Sequence, residues 1–97
     1  MTYHNIITSH HVVLVEFYAT WCPHCQRMAP IVEELKELLT DRAAIQQFDI
    51  DQNETIADKA AVSSVPTFII YRDGEEMWRR SGEIDGEVLL EKVEKYI

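Results

Sequence analysis

Both cysteines of the chain fall within five residues, Trp21-Cys22-Pro23-His24-Cys25. A Cys-x-x-Cys segment in the first turn of a helix puts its two sulfurs on one face, within reach of one another. The apolar run Val12-Val13-Leu14-Val15-Glu16-Phe17-Tyr18 before it reads as a strand, and the pattern after it reads as a helix. The pair therefore sits at a strand-to-helix junction. A helix N-terminus carries partial positive charge and unsatisfied N–H donors, and both favour a thiolate over a thiol. Cys22, the first of the pair and expected to be exposed, is the candidate nucleophile. Two cysteines are too few for a secreted disulfide scaffold, and in a reducing compartment such a pair is catalytic or metal-binding more often than structural.

The elements that must hold the pair follow from hydrophobic spacing. Tyr3, Ile6 and Ile7 suit one or two helical turns against a sheet edge. The near-continuous, β-branched run 12–18 suits a strand covered on both faces. Pro23 falls just inside the start of the next helix, where proline is favoured. Met28, Ile31, Val32, Leu35, Leu38 and Leu39 recur at three and four and form its buried stripe. Pro30 removes one backbone hydrogen bond and should kink that helix without ending it, because the stripe continues in phase beyond it.

A second strand is expected over 44–50, then Asp51-Gln52-Asn53 as loop and cap, and a short helix over 54–61. A third strand follows at 67–71, and Asp73-Gly74 turns the chain into an antiparallel fourth at 75–80. Gly82 breaks that strand. Asp85 caps a last helix whose stripe is Leu89, Leu90, Val93 and Ile97. The order β-α-β-α-β-β-α, with two crossovers giving parallel neighbours, predicts an α/β fold. It is a mixed four-stranded sheet between helices, a single domain spanning 1–97.

With 97 residues, the chain can bury roughly 60–70% of its unfolded surface, and 46% hydrophobic with 27% charged residues excludes a disordered segment. The net charge of −8 argues against nucleic acid and anionic membranes as partners. No stretch reaches the ~20 apolar residues of a membrane span, and Met1-Thr2-Tyr3-His4-Asn5 lacks the basic and apolar regions of a signal peptide. A cytoplasmic location is expected. His4, His10 and His11 raise a metal reading, but a structural zinc site wants four ligands, and no second Cys pair or spaced His pair accompanies the first. No metal is expected.

In these motifs the chain resembles the thioredoxin family from about Val12 to Ile97. The resemblance is carried by 15–25 around the cysteines, Ala29-Pro30, Asp49-Ile50-Asp51-Gln52-Asn53, Val65-Pro66-Thr67, and the Asp73-Gly74 hairpin followed by Gly82. It implies a thioredoxin fold and exchange of disulfides with protein substrates, Cys22 attacking and Cys25 resolving the mixed disulfide. It also implies a cis peptide at Pro66. Trp21, Pro23, Val65, Pro66 and Gly82 would form the substrate surface, with the Val65 backbone pairing to an extended client segment. Electrons would come from a reductase, in this family usually a flavoprotein using NADPH, so a partner is implied and no bound cofactor. The protein is expected to be a monomer.

Three departures from the family pattern sharpen the expectations. Eleven residues before Val12 leave little room for the family's first strand, which should be missing. Glu16 stands where a buried aspartate is usual, and Gln47 where a lysine commonly accompanies it. A carboxylate buried without a cation should have a raised pKa and could exchange a proton with Cys25 through the side chain or one water; the alternative is a solvated or cap-bonded acid at a strand end, against which the apolar neighbours weigh. Finally, the Pro-His between the cysteines resembles the periplasmic disulfide oxidases. His24 could stabilise the Cys22 thiolate by charge or by a ring N–H and make the couple more oxidising. The expected potential lies between about −270 mV for thioredoxin and about −120 mV for the oxidase. The alternatives are an oxidase or isomerase working outside the cytosol, and a non-catalytic binding module.

Overall fold

The computed structural model describes residues 2–97; Met1, the first residue of the expected 1–97 domain, lies outside them. Its axis is β1, Val12–Tyr18, buried from Val12 through Phe17. β1 carries apolar side chains on both faces because both are covered. Val12 and Leu14 pack with α2 (Pro23–Leu38) and α4 (Gly86–Glu94), while Val13, Val15 and Phe17 pack with α1 (Tyr3–Ile7) and α3 (Glu54–Lys59). The remaining strands are β2 (Ala44–Asp49), β3 (Thr67–Arg72) and β4 (Glu75–Ser81), and the sheet order is β2-β1-β3-β4.

β2 runs parallel to β1, as expected, but β3 runs antiparallel to it on the other side. The second crossover therefore does not produce a parallel neighbour. The short α3 and the loops around it keep the chain at the end where β2 finished, and β3 begins there, beside the end of β1. Consequently the ends of β1, β2 and β4 and the beginning of β3 all lie at one end of the sheet.

No strand precedes β1 among the described residues, so β2 is an edge. α1 covers a sheet face instead of the edge expected from its sequence. The Tyr3 ring lies 6.2 Å from Phe17, 5.9 Å from Phe48 and 6.0 Å from Tyr71, reaching β1, β2 and β3 at once. Its hydroxyl bonds that of Tyr71 at 2.8 Å. α1 is short, and a Thr2–Asn5 capping box supplies part of what its length does not.

α2 continues through Pro30 to Leu38. Met28, Val32, Leu35 and Leu39 are buried, but Leu38 is 49% exposed and Ile97 46%, so both leave the stripes assigned to them. Asn53 holds the cap position of α3 without a side-chain cap bond; its amide instead donates to the Asp49 carbonyl at 3.0 Å. Asp85 does cap α4, accepting from the Glu87 N–H. Asp73 and Gly74 both have positive φ, 52° and 82°, as a two-residue hairpin twisted with its strands requires.

Candidate active site

Cys22 follows the end of β1, Val65-Pro66 precedes β3, and Gly82-Glu83 follows β4, so the sheet topology brings these three segments to one place. Cys22 is the N-cap of α2, and its Sγ accepts the Cys25 N–H at 3.3 Å. Pro23 is the first helical residue, where the missing N–H leaves no bond unmade. Both cysteines are free thiols, packed with Ala19, Tyr18, Ile50 and Val65. Tyr18, expected in the core with Phe17, is half-buried beside them.

Cys22 is only 4% exposed, contrary to the expectation of an open thiol. The cap geometry turns its sulfur toward the first N–H groups of α2, and the Val65 carbonyl stands 3.8 Å from it. Even so it lines a groove of ≈ 600 Å³ shared with Trp21, Pro23, His24, Asp51 and Val65. Cys25, one turn deeper, is 5% exposed. The Cys22 thiol is held below its ordinary value, first by the hydrogen bond from the Cys25 side chain, then by the Cys25 and His24 backbone N–H groups and the charge of Arg27. Burial pushes Cys25 up, and its bond to Cys22 adds to the rise. The pair thus divides its chemistry between a sulfur at the groove whose thiolate form is favoured and one behind it whose thiol form is favoured.

The His24 ring is directed elsewhere than at the sulfur. Its Nδ1 lies 2.6 Å from Glu83 Oε2 and 2.8 Å from Arg27 Nη2. Arg27 in turn grips Glu83 with Nε at 3.0 and 3.1 Å and Nη2 at 2.8 Å. These bonds pull the Glu83 carboxyl down to about 2, Arg27 contributing most and His24 next. Toward Cys22, His24 offers its backbone N–H.

Glu16 is 1% exposed, which rules out the solvated reading. Along β1 it shares the face of Val12 and Leu14, the one covered by α2. Burial raises its pKa, opposed by the Gln47 amide, which donates to Oε1 at 2.9 Å, and by the charge of Lys36 on α2. A cation is therefore near after all, but burial prevails. Gln47 reaches Glu16 because the two are paired in the parallel register of β1 and β2. The negative charge of Glu16 also raises Cys25 slightly.

Trp21 is 63% exposed, and its Nε1 donates to Asp51 Oδ2 at 2.8 Å, which holds an aromatic face beside the groove. The Val65–Pro66 peptide is cis. Pro66 is buried, and its carbonyl accepts the Gly82 N–H at 2.8 Å. Gly82 has φ 95°, which only glycine adopts readily, and it is not among the residues lining the groove. His4, His10 and His11 stand apart from the cysteines: His11 pairs with Asp73 at 2.8 Å and His10 with Ser9 at 3.0 Å. Among the described residues no three His, Cys, Asp or Glu side chains converge on a metal-sized space.

Arg27, Glu83, Asp51 and Lys36 escaped the sequence reading. Arg27 was within reach of it, since three residues from His24 is the spacing of neighbours on a helix face. Glu83 was not, being 59 positions from its partner.

A mixed four-stranded sheet with helices on both faces, a dithiol at the N-terminus of the helix after its central strand and a cis-proline loop beside it define a thioredoxin-like fold. The thioredoxin family model matches residues 1–95. Thioredoxin from Bacillus subtilis is 39% identical over 90 residues, covering 93% of this chain and 86% of that protein. Chloroplastic thioredoxin Y from Oryza sativa is 38% identical over 82 residues, covering 84% and 49%. The chain spans about half the length of such chloroplast relatives. Oxidised thioredoxin from Plasmodium falciparum superposes with a TM-score of 0.84 at 31% identity, over 97% of this chain and 88% of that one. A mutant thioredoxin from Halobacterium salinarum does so with a TM-score of 0.88 at 35% identity, over 96% and 80%. The chain belongs to the thioredoxin family.

Proposed function

We propose that the protein is a thiol–disulfide oxidoreductase acting on protein disulfides. The observation that carries this reading is the Cys22 sulfur at the cap of α2, accepting the Cys25 N–H and facing a groove beside the Val65 carbonyl. Cys22 attacks a client disulfide, forming a mixed disulfide and releasing one client sulfur as a thiolate that takes a proton. Cys25 then loses its proton, with Glu16 as the acceptor, and attacks Cys22. The products are the Cys22–Cys25 disulfide and the reduced client. Trp21, Pro23 and Val65 meet the client; Pro66 and Gly82 hold the loops around it. A dithiol reductase returns two electrons to the pair, so no bound cofactor is required. The chain acts as a single monomeric unit.

The direction of flow follows the potential, for which Pro-His between the cysteines favours a value above that of ordinary thioredoxins. A reducing compartment suits the reductant role. Relatives named for the chloroplast and others from bacteria leave the cytoplasm one of two such settings. The test is reduction of insulin by the full chain with dithiothreitol as donor, followed by turbidity. Wild type should accelerate it. Cys22→Ser should abolish the effect, and Cys25→Ser should accumulate a mixed disulfide visible by mass. A wild-type rate equal to the uncatalysed one would leave a binding module.

A further inference from the structure

The basic side chains of α2 nearest Cys22 are engaged by a carboxylate, which offsets what Arg27 contributes at the sulfur. His24 and Arg27 lie three residues apart on the exposed face of the helix start, and one carboxylate from the loop after β4 takes both. We propose that Glu83 is a positioning residue for disulfide exchange, a clamp that holds the Arg27 guanidinium and the His24 ring away from the Cys22 sulfur and so limits how oxidising the couple is. The inference rests on the exchange reading above and goes beyond it in assigning the control to a residue outside the Cys-x-x-Cys segment.

The geometry gives the clamp two effects. Glu83 engages Arg27 through three contacts of 2.8–3.1 Å, which fixes the guanidinium in a fork and offsets its charge. It also decides what the imidazole presents. A neutral ring that donates Nδ1–H to the 2.6 Å carboxylate has only a lone pair left on Nε2, and a lone pair cannot stabilise a thiolate. The alternative, Nδ1 accepting from Arg27 at 2.8 Å, would leave Nε2–H as a donor. The carboxylate selects against it: an acceptor Nδ1 would face Oε2 at 2.6 Å, whereas a donor Nδ1 leaves Arg27 Nη2 to direct its N–H to Oε2 at 2.8 Å instead of to the ring. The Pro-His signature is thereby muted by a residue remote in sequence.

Other titratable groups surround the pair: Cys25 from α2 beside Cys22, Glu16 from β1 acting on Cys25, and Asp51, Glu54 and Asp58 along the groove that Cys22 lines. They are common to every variant compared and cancel in the differences. Glu83→Gln and Arg27→Gln change exposed side chains, so both proteins should fold; their circular dichroism and Tm are checked first.

The midpoint of Cys22 is read in the full chain from the rate of iodoacetamide alkylation against pH, which needs no exchange activity. Glu83→Gln should lower the midpoint by about 0.5 unit, the size expected of one charge acting over several ångströms of exposed surface. Arg27→Gln should raise it by a similar amount. Both shifts should shrink in 1 M salt. Equilibrium against glutathione should then favour reduced Glu83→Gln over wild type by about threefold above the Cys22 midpoint, with the two converging well below it, where both sulfurs are thiols in either protein. A merely structural loop contact would not produce that pH dependence. A midpoint unchanged or raised in Glu83→Gln, or unmoved in Arg27→Gln, would overturn the clamp. Moved midpoints alongside a dead insulin assay would instead overturn the exchange reading and leave the electrostatics standing.

Discussion

At the residue scale the proposed exchange gives Glu16 two separable roles, because burial and chemistry pull in opposite directions. Its carboxyl is raised by burial, so the fold disfavours the charged form. The sign follows directly. Stability is undiminished below the ordinary carboxyl pKa, where folded and unfolded chains are both protonated, and is lost as pH rises through the higher folded value. Glu16→Gln, whose amide oxygen can keep accepting from Gln47, removes that loss. It should raise Tm at pH 7–8, by roughly 4–8 °C for each kcal/mol relieved in a chain of this size, and the gain should vanish near pH 4. The same substitution removes the proton acceptor for Cys25 and should slow resolution of the mixed disulfide ~10²-fold at neutral pH. Calorimetry across pH and single-turnover kinetics measure the two effects separately. A more stable protein with an unchanged pH–rate profile would make Glu16 a structural acid only. Cys22 predicts its own profile: alkylation should rise to a plateau with a midpoint below that of an ordinary thiol, since its thiolate is favoured by Cys25, backbone N–H groups and Arg27.

At the scale of elements, α1 and the β3–β4 hairpin hold each other. The Asp73 N–H donates to the His11 carbonyl at 2.9 Å, and a Cβ at Gly74 would stand 2.7 Å from Thr8 Cγ2. Gly74→Ala meets both that overlap and the strain of φ 82°, and should cost roughly 2–3 kcal/mol. In a Thr8→Ser background, which keeps the hydroxyl bond to His4 but removes the methyl, about half of the cost should disappear. Denaturant unfolding of the four proteins reads this cycle; equal costs in both backgrounds would mean the turn conformation alone matters. The hairpin was legible in the sequence because Asp73-Gly74 states its backbone requirement locally, and β1 and α2 because their apolar periods do. The direction of β3 was not, since it depends on the path the chain takes from β2 through α3 to the far side of β1, which no local period states. Likewise the cysteine pair was readable from type and spacing, while Trp21 and the Val65-Pro66 loop were readable only through the family resemblance. The burial of Cys22 and the diversion of His24 depend on segments that meet only in the folded chain.

For the whole molecule the relevant quantity is the net charge of −8, because a client disulfide must approach an acidic surface before it meets a sulfur. The groove concentrates that charge: Asp51, Glu54 and Asp58 lie along it, while Arg27, the nearest guanidinium, is held by Glu83. Trp21 adds a π-face at the same margin, to which a cation is attracted. Disulfide peptides with Lys or Arg beside the cysteine should therefore react faster than matched peptides with Glu, about tenfold in kcat/KM at low ionic strength. The advantage should arise mainly in encounter. It should then fall steeply as the screening length drops from about 10 Å at 0.1 M salt to about 3 Å at 1 M. Stopped-flow measurement of Trp21 fluorescence with the two peptide sets, across that salt range, distinguishes the sources of selectivity. A ratio that persists in 1 M salt would place discrimination in close contacts with Trp21 and Val65. A ratio of one throughout would mean that the charge of the chain governs its solubility and not its choice of clients.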